Sequence, residues 1–177
     1  MIDPIQIHKR LLEKWRHAMN LIGPEEIDHH FEDCLQAVGD LQASGDWVDL
    51  GSGAGFPGIA LATLNPNARV FLLESRHKRC VFLRKVIAES HLYNATVIQQ
   101  RTEKLTGKFD GIISRAYKPP EQYLSDARRL CKINGQVVLL LGDSPKHENF
   151  DFWNIKSKFR YPVAAGFRRR WILVPKK

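Results

Sequence analysis

The sequence predicts an open α/β fold: a mostly parallel sheet with helical connections, preceded by a helical cap. Three observations predict it. From Asp46 onward, short apolar runs alternate with helical stretches of roughly 7 to 15 residues, the pattern of βαβ crossovers. A glycine-dense loop follows the first of those runs, and the first 45 residues carry helical periodicity alone. The 177 residues, 44% hydrophobic and 26% charged, suit one folded domain and leave little room for two separate cores. The expected organisation is therefore a single domain over residues 1–177, with the cap at 1–45 and the α/β core at 46–177.

Each element has its own signal. Leu11, Trp15, Ala18, Met19 and Ile22 share one helical face, and Gly23-Pro24 ends that helix. A second helix spans about residues 26–41 and is broken by Ala43-Ser44-Gly45. Trp47-Val48-Asp49-Leu50 forms the first strand, followed by a glycine loop and a helix through Ile59, Ala60, Leu61 and Leu64, which Asn65-Pro66-Asn67 stops. Strand 70–74 leads into helix 78–92, then come strands 96–98 and 110–114. Pro120 opens a helix that runs to about Cys131, and Asn134-Gly135 turns the chain into 136–141, whose continuous apolar run marks a buried strand. Two last strands, 155–163 and 170–174, joined by Ala164-Ala165-Gly166, form a hairpin. They complete a seven-stranded sheet with one antiparallel strand near its C-terminal end.

The net charge is +8, and it is not evenly spread. Lys156, Lys158, Arg160, Arg168, Arg169, Arg170, Lys176 and Lys177 fall in the last 22 residues, which contain no Asp or Glu. Clustered positive charge favours a polyanion such as a nucleic acid, or an anionic membrane surface. No apolar run approaches the ~20 residues that cross a bilayer. The opening MIDPIQIHKR has no apolar core of a secretory signal, so a cytoplasmic location is expected. Cys34, Cys80 and Cys131 are odd in number and far apart, which argues for reduced, packed thiols. No HExxH or Cys/His ligand spacing suggests a metal, and no Walker-type lysine loop suggests an NTPase.

The loop Gly51-Ser52-Gly53-Ala54-Gly55-Phe56-Pro57-Gly58 supports two readings. In open α/β sheets ligands bind beyond the carboxyl ends of the strands, where glycines let them approach the backbone. Gly53 to Gly58 matches the GxGxxG dinucleotide fingerprint, and Glu74 falls where a ribose-binding acid is expected. The longer match, Asp49-Leu50-Gly51-Ser52-Gly53-Ala54-Gly55, is the D-x-G-x-G-x-G arrangement of Rossmann-like methyltransferases.

Several separated segments together resemble one family, the small-subunit rRNA guanine-N7 methyltransferases of the RsmG/GidB type. Trp15 to Ile22 resembles its W-N-x-x-x-N-L-T, His30 to Leu35 its H-x-x-D-S-L, and DLGSGAGFPG at 49–58 its D-x-G-[ST]-G-x-G-[FL]-P-G. Lys78-Arg79 with Phe82-Leu83 is similar to K-R-x-x-F-L, and Ser114-Arg115-Ala116-Tyr117 to S-R-A-[FV]. The resemblance implies a Rossmann-like class I methyltransferase fold and S-adenosyl-L-methionine as cofactor. It implies methyl transfer to guanine N7 in 16S rRNA, free or in an assembling 30S subunit, by a monomer with no membrane partner.

By the same resemblance Gly51, Phe56, Thr102, Glu103 and Arg115 contact the cofactor, with Glu74 near the ribose and Gly53 and Gly55 completing the loop. Asn20, Arg115 and Tyr117 are candidates for the substrate pocket, and no residue is assigned as catalytic. Trp15 is expected in the core, and His30 and Asp33 in structural roles. Phe56 and Tyr117 are candidates to stack on the base, and Arg76, Lys78, Arg79 and the basic final strands to contact phosphates. Guanine N7 has a free lone pair and no proton to remove, so positioning and electrostatics suffice without a general base. The chain departs from the family in two ways. Leu140-Leu141-Gly142 replaces an L-K-G context, leaving Leu141 for the lysine with Lys146 as a conceivable substitute, and the chain is short around the last strands. The first departure motivates an alternative, a non-catalytic protein that binds S-adenosylmethionine and RNA. An NAD-dependent oxidoreductase is disfavoured by Pro57 inside the GxGxxG match and by the Ser-Arg-Ala segment.

Overall fold

In the computed structural model, residues 3–19, 21–22, 26–142, 150–164 and 166–176 are described. Helices α1 (Pro4–Met19) and α2 (Ile27–Val38) come first. They are followed by β1 (Gly45–Leu50), α3 (Gly58–Leu64), β2 (Ala68–Glu74), α4 (His77–Ser90), β3 (Ala95–Gln99), β4 (Phe109–Ser114), α5 (Pro120–Leu130), β5 (Cys131–Leu141), β6 (Trp153–Val163) and β7 (Gly166–Pro175). The sheet order is β3-β2-β1-β4-β5-β7-β6. Strands β1 to β5 pair in parallel, and β7 runs antiparallel to both of its neighbours. This is the Rossmann-like arrangement expected, with its single antiparallel strand near the end. The strand order reverses between β1 and β4, the switch point where such sheets bind ligands.

Side chains alternate across the sheet and bury two cores. Trp47, Val70, Leu72, Ile113 and Val138 face α1 to α4. Val48, Leu50, Leu73, Ile112, Val137 and Leu139 face α5, together with Trp153 and Trp171. Strands covered on both sides have no polar face, which is why they read as unbroken apolar runs. The cap closes the first face: Asp3 Oδ1 accepts the Ile5 N–H at 3.0 Å to start α1, and Ile5, Ile7, Leu11 and Leu12 are buried beneath it. Trp15 packs against the same core, as expected.

Several boundaries differ from the sequence reading, among them the end of α2 at Val38 and the start of β7 at Gly166, and two have a visible cause. Helix α1 ends at Met19, three residues before Ile22, and the Leu21 N–H reaches back to the Arg16 carbonyl at 3.3 Å. Strand β5 begins at Cys131, because Asn134-Gly135 forms an irregularity within the strand and not a turn before it. From the Phe109↔Cys131 pair to the Gly111↔Gln136 pair, β5 advances further than β4. The three thiols are buried and unbridged, and burial pushes Cys34 up to about 12 and Cys131 to about 11. Among the described residues no helix is long and apolar enough to cross a membrane, and no group of His, Cys, Asp and Glu could hold a metal ion.

Candidate active site

The glycine loop leaves β1 at the switch point. Gly51, Gly53 and Gly55 all adopt positive φ (70°, 56° and 97°), and the Phe56–Pro57 peptide is cis. At Gly51 a side chain has no room, since a Cβ there would lie 2.5 Å from Tyr117 Cδ2. The loop is held from three sides. Glu74, buried at the end of β2, accepts the Gly53 N–H (3.1 Å) and the Arg76 N–H (2.7 Å). Ser52 Oγ donates to the Asp49 carbonyl (3.0 Å). His8 of α1 reaches up from the cap, with Nε2 2.7 Å from the Ala54 carbonyl. A carbonyl only accepts, so Nε2 carries the proton. Burial lowers the His8 pKa to about 4, outweighing the opposing pull of that bond, and the ring stays neutral.

Asp49 lies at the base of the loop, fully buried. Its Oδ2 accepts the first N–H of α3, from Gly58, at 3.1 Å, and Oδ1 has no hydrogen-bond partner among the described residues. Burial pushes its carboxyl up to about 7. This acid separates the two readings of the loop. A dinucleotide places its pyrophosphate on the helix N-terminus, and here a carboxylate already occupies it. A cationic ligand suits that acid, as a diphosphate does not.

Two clefts open at the carboxyl ends of the strands and meet at Ala116, a non-glycine residue at φ 54°. The first, about 400 Å³, is bordered by Gly51, Glu74, Thr102, Glu103 and Tyr117. Thr102 and Glu103 belong to a 3₁₀ turn, Thr102–Lys104, just past β3. Tyr117 lies across the mouth, its hydroxyl 2.6 Å from Thr102 Oγ1 and 3.2 Å from Asp126 Oδ2. Glu103 pairs with Lys118 at 3.1 Å and is held below the usual carboxylate range by its own backbone N–H and then by that lysine. A buried carboxylate at the end of β2 for a ribose diol and a loop with glycine at 51, 53 and 55 fit S-adenosylmethionine.

The second cleft, about 490 Å³, lies on the α2 side. Arg115 extends into it from the end of β4. Its Nη1 donates to Asp33 Oδ2 (3.1 Å), its Nη2 lies 3.1 Å from His30 Nδ1, and its guanidinium sits 4.8 Å from the Phe56 ring centre. The Tyr161 hydroxyl donates to the other Asp33 oxygen at 3.1 Å, tying β6 to α2. Leu140, Leu141 and Arg168 complete the far wall.

The predicted residues therefore divide. Gly51, Glu74, Thr102, Glu103 and Tyr117 come together at the first cleft and Arg115 lines the second, whereas Gly53 and Gly55 border neither: Gly53 donates its N–H to Glu74, and Gly55 faces Ile59, His8 and Leu83. Asn20 and Lys146 lie outside the described residues. Phe56 is corrected as a base-stacking candidate, because it is buried with ring centres 5.0 Å from both His8 and Phe31. Arg170 is corrected as a phosphate contact: it is buried, bonded to Asp40 and to the Ala37 carbonyl (2.9 Å). Arg76 and Arg79 border the first cleft, and Arg79 lies 3.8 Å from Glu74. Sequence reasoning passed over the reach of His30 and Asp33 into the second cleft and did not notice His8. The available signals were the His-x-x-Asp spacing on α2 and a histidine inside the apolar stripe of α1.

The chain matches the family model described as rRNA small subunit methyltransferase G (GidB) over residues 1–156. It is 37% identical over 153 residues to "Ribosomal RNA small subunit methyltransferase G" of Chromobacterium violaceum, covering 83% of this chain and 73% of that one. The protein of the same name in Pseudomonas paraeruginosa is 36% identical over 156 residues, covering 85% and 72%. Among solved structures, M. jannaschii TYW2 in complex with AdoMet superposes with a TM-score of 0.67 at 14% identity, covering 85% of this chain and 78% of that one. Trm5b from Pyrococcus abyssi gives 0.66 at 15% identity over 86% of this chain, which spans about half (51%) of that protein. At such identities the structural likeness speaks for the fold alone.

Proposed function

The chain belongs to the GidB family, rRNA small subunit methyltransferase G, and from that premise we propose how its two clefts divide the work of methyl transfer. It is an S-adenosylmethionine-dependent methyltransferase acting on guanine N7 of 16S rRNA, and the family match over residues 1–156 carries this reading. The nicotinamide alternative falls away with it. The first cleft holds the cofactor, with Glu74 on the ribose diol, Thr102 and Glu103 beside the adenine, and the Gly51 backbone at the methionine end. The second cleft takes the guanine, against the linked trio of Arg115, Asp33 and Tyr161 on one side and the β5 wall at Leu140 on the other.

Bound S-adenosylmethionine supplies a methyl group already activated by its sulfonium. The chain's own residues align the guanine. N7 needs no base to deprotonate it, and none of the groups in the second cleft is required as one. Methylation makes the neutral purine a cation, so Asp33, held by Arg115 and Tyr161, sets a negative pole close to the ring as charge develops. The substrate is 16S rRNA in free or 30S-bound form, met by a monomer in the cytoplasm.

Incubating the protein with methyl-labelled S-adenosylmethionine, unmodified 16S rRNA and 30S particles tests this directly. The expected outcome is label on 7-methylguanosine alone. Cofactor and RNA binding with no transferred label would point to a binding protein that has lost turnover.

A further inference from the structure

The three consecutive arginines of β7 do three different things. Arg170 points inward to Asp40 and the Ala37 carbonyl. Arg169, opposite Leu141, turns to the other face, where its Nε donates to the Gly142 carbonyl at 3.2 Å. Arg168, paired across the hairpin with Tyr161, returns to the face of α2 just beyond the end of β5 and enters the second cleft. It is exposed, and among the described residues no acid forms an ion pair with it. The other described arginine of that cleft, Arg115, is committed to Asp33.

The β5 wall of the same cleft ends in Leu140 and Leu141, two apolar side chains that bring no charge to it. An RNA chain threading into the cleft carries a negative phosphate on either side of the base, and an apolar wall offers that phosphate nothing. We propose that Arg168 holds the phosphate of the target nucleotide, supplying from β7 the positive charge that β5 lacks. This rests on the rRNA methyltransferase reading above.

The chemistry decides between phosphate and base. A guanidinium forks naturally onto guanine O6 and N7, but N7 must stay free to attack. The product ring is also positively charged, so a cation against its edge that no acid balances, as Asp33 balances Arg115, raises the barrier. On the phosphodiester, at the exposed rim, the same cation gains a charge-assisted contact and opposes nothing. The cleft is then polarised, with Asp33 near the ring and Arg168 near the backbone.

The test uses the full chain with Arg168→Gln, Arg168→Lys and the pair Arg168→Gln/Leu141→Lys. RNA affinity is measured on unmodified 16S rRNA over a salt series, together with methyl-transfer kinetics and S-adenosylmethionine affinity by calorimetry. Arg168→Gln is expected to weaken RNA binding roughly tenfold at low salt and to remove about 0.7 from the slope of log K against log salt. The loss falls on KM for RNA and not on kcat, and cofactor affinity holds. Lysine at either 168 or 141 recovers most of the affinity, which a merely structural arginine would not allow. Unchanged affinity and slope in Arg168→Gln, or no recovery with Arg168→Lys, overturns the proposal. If the parent chain binds RNA but transfers no methyl group, the enzyme reading fails, and the salt slope still judges Arg168.

Discussion

Gly51 sits at φ 70° beneath the ring of Tyr117, and this one residue couples the loop to the first cleft, the proposed cofactor site. Gly51→Ala brings a Cβ to 2.5 Å from the ring and an unfavourable backbone angle. The ring must shift, breaking its contact with Thr102. We expect S-adenosylmethionine affinity to fall at least about tenfold by calorimetry, with a cost in stability of about 1 to 2 kcal/mol. Wild-type affinity in that variant would remove the loop from the cofactor site. His8 makes a prediction in pH. Its folded pKa of about 4 lies below the ordinary 6.5, so between those values the unfolded chain takes up the proton and the folded one does not. Stability from this group is complete above about 6.5 and is lost as pH falls toward 4. Asp49, raised from 3.8 to about 7, runs the other way and masks the slope in the parent protein. The difference between wild type and His8→Gln exposes it. Urea unfolding should show that difference smaller at pH 5 than at pH 7 by about 2 kcal/mol, and a constant difference would mean that the ring titrates normally.

At the scale of elements, the hairpin β6–β7 is fastened to α2 at two points, Tyr161 to Asp33 and Arg170 to Asp40. Arg170→Gln is therefore expected to lower stability by about 2 kcal/mol, since it strips a buried carbonyl of its donor, while leaving the salt slope of RNA binding unchanged. A lowered slope would return Arg170 to the RNA surface. The elements themselves were largely legible from sequence. Proline and glycine punctuation and apolar runs located the five α-helices and seven strands of the described residues, because those signals are local. The exact end of α1 and the irregularity at Asn134-Gly135 were not, since both depend on what the neighbouring strand or helix allows. The candidate site was half legible. Motif residues such as Glu74 and Thr102 border one cleft together, but Asp33 meets Arg115 across 82 residues of chain. A partnership at that separation leaves no periodic trace, so Asp33 and His30 read as structural. The burial of Phe56 was hidden for the same reason, as its cover comes from α1 and α2.

For the whole molecule, the fold places the two clefts at one end of the sheet and the excess positive charge along one side of it. Strand β6 is one of the two edges of that sheet, exposed along most of its length. A long open edge is a template on which another chain can add its own strand and begin an aggregate. Here Lys156, Lys158 and Arg160 stand along it, Pro162 withholds a donor, and a register shift between Ile155 and Ser157 breaks the regular ladder. The charges thus serve colloidal stability as well as attraction to RNA. Replacing Lys156, Lys158 and Arg160 together with threonine should leave the chain folded yet raise its tendency to self-associate, visible as concentration-dependent light scattering. The stretch that draws in a polyanion is also the one that keeps copies of the chain from stacking edge to edge.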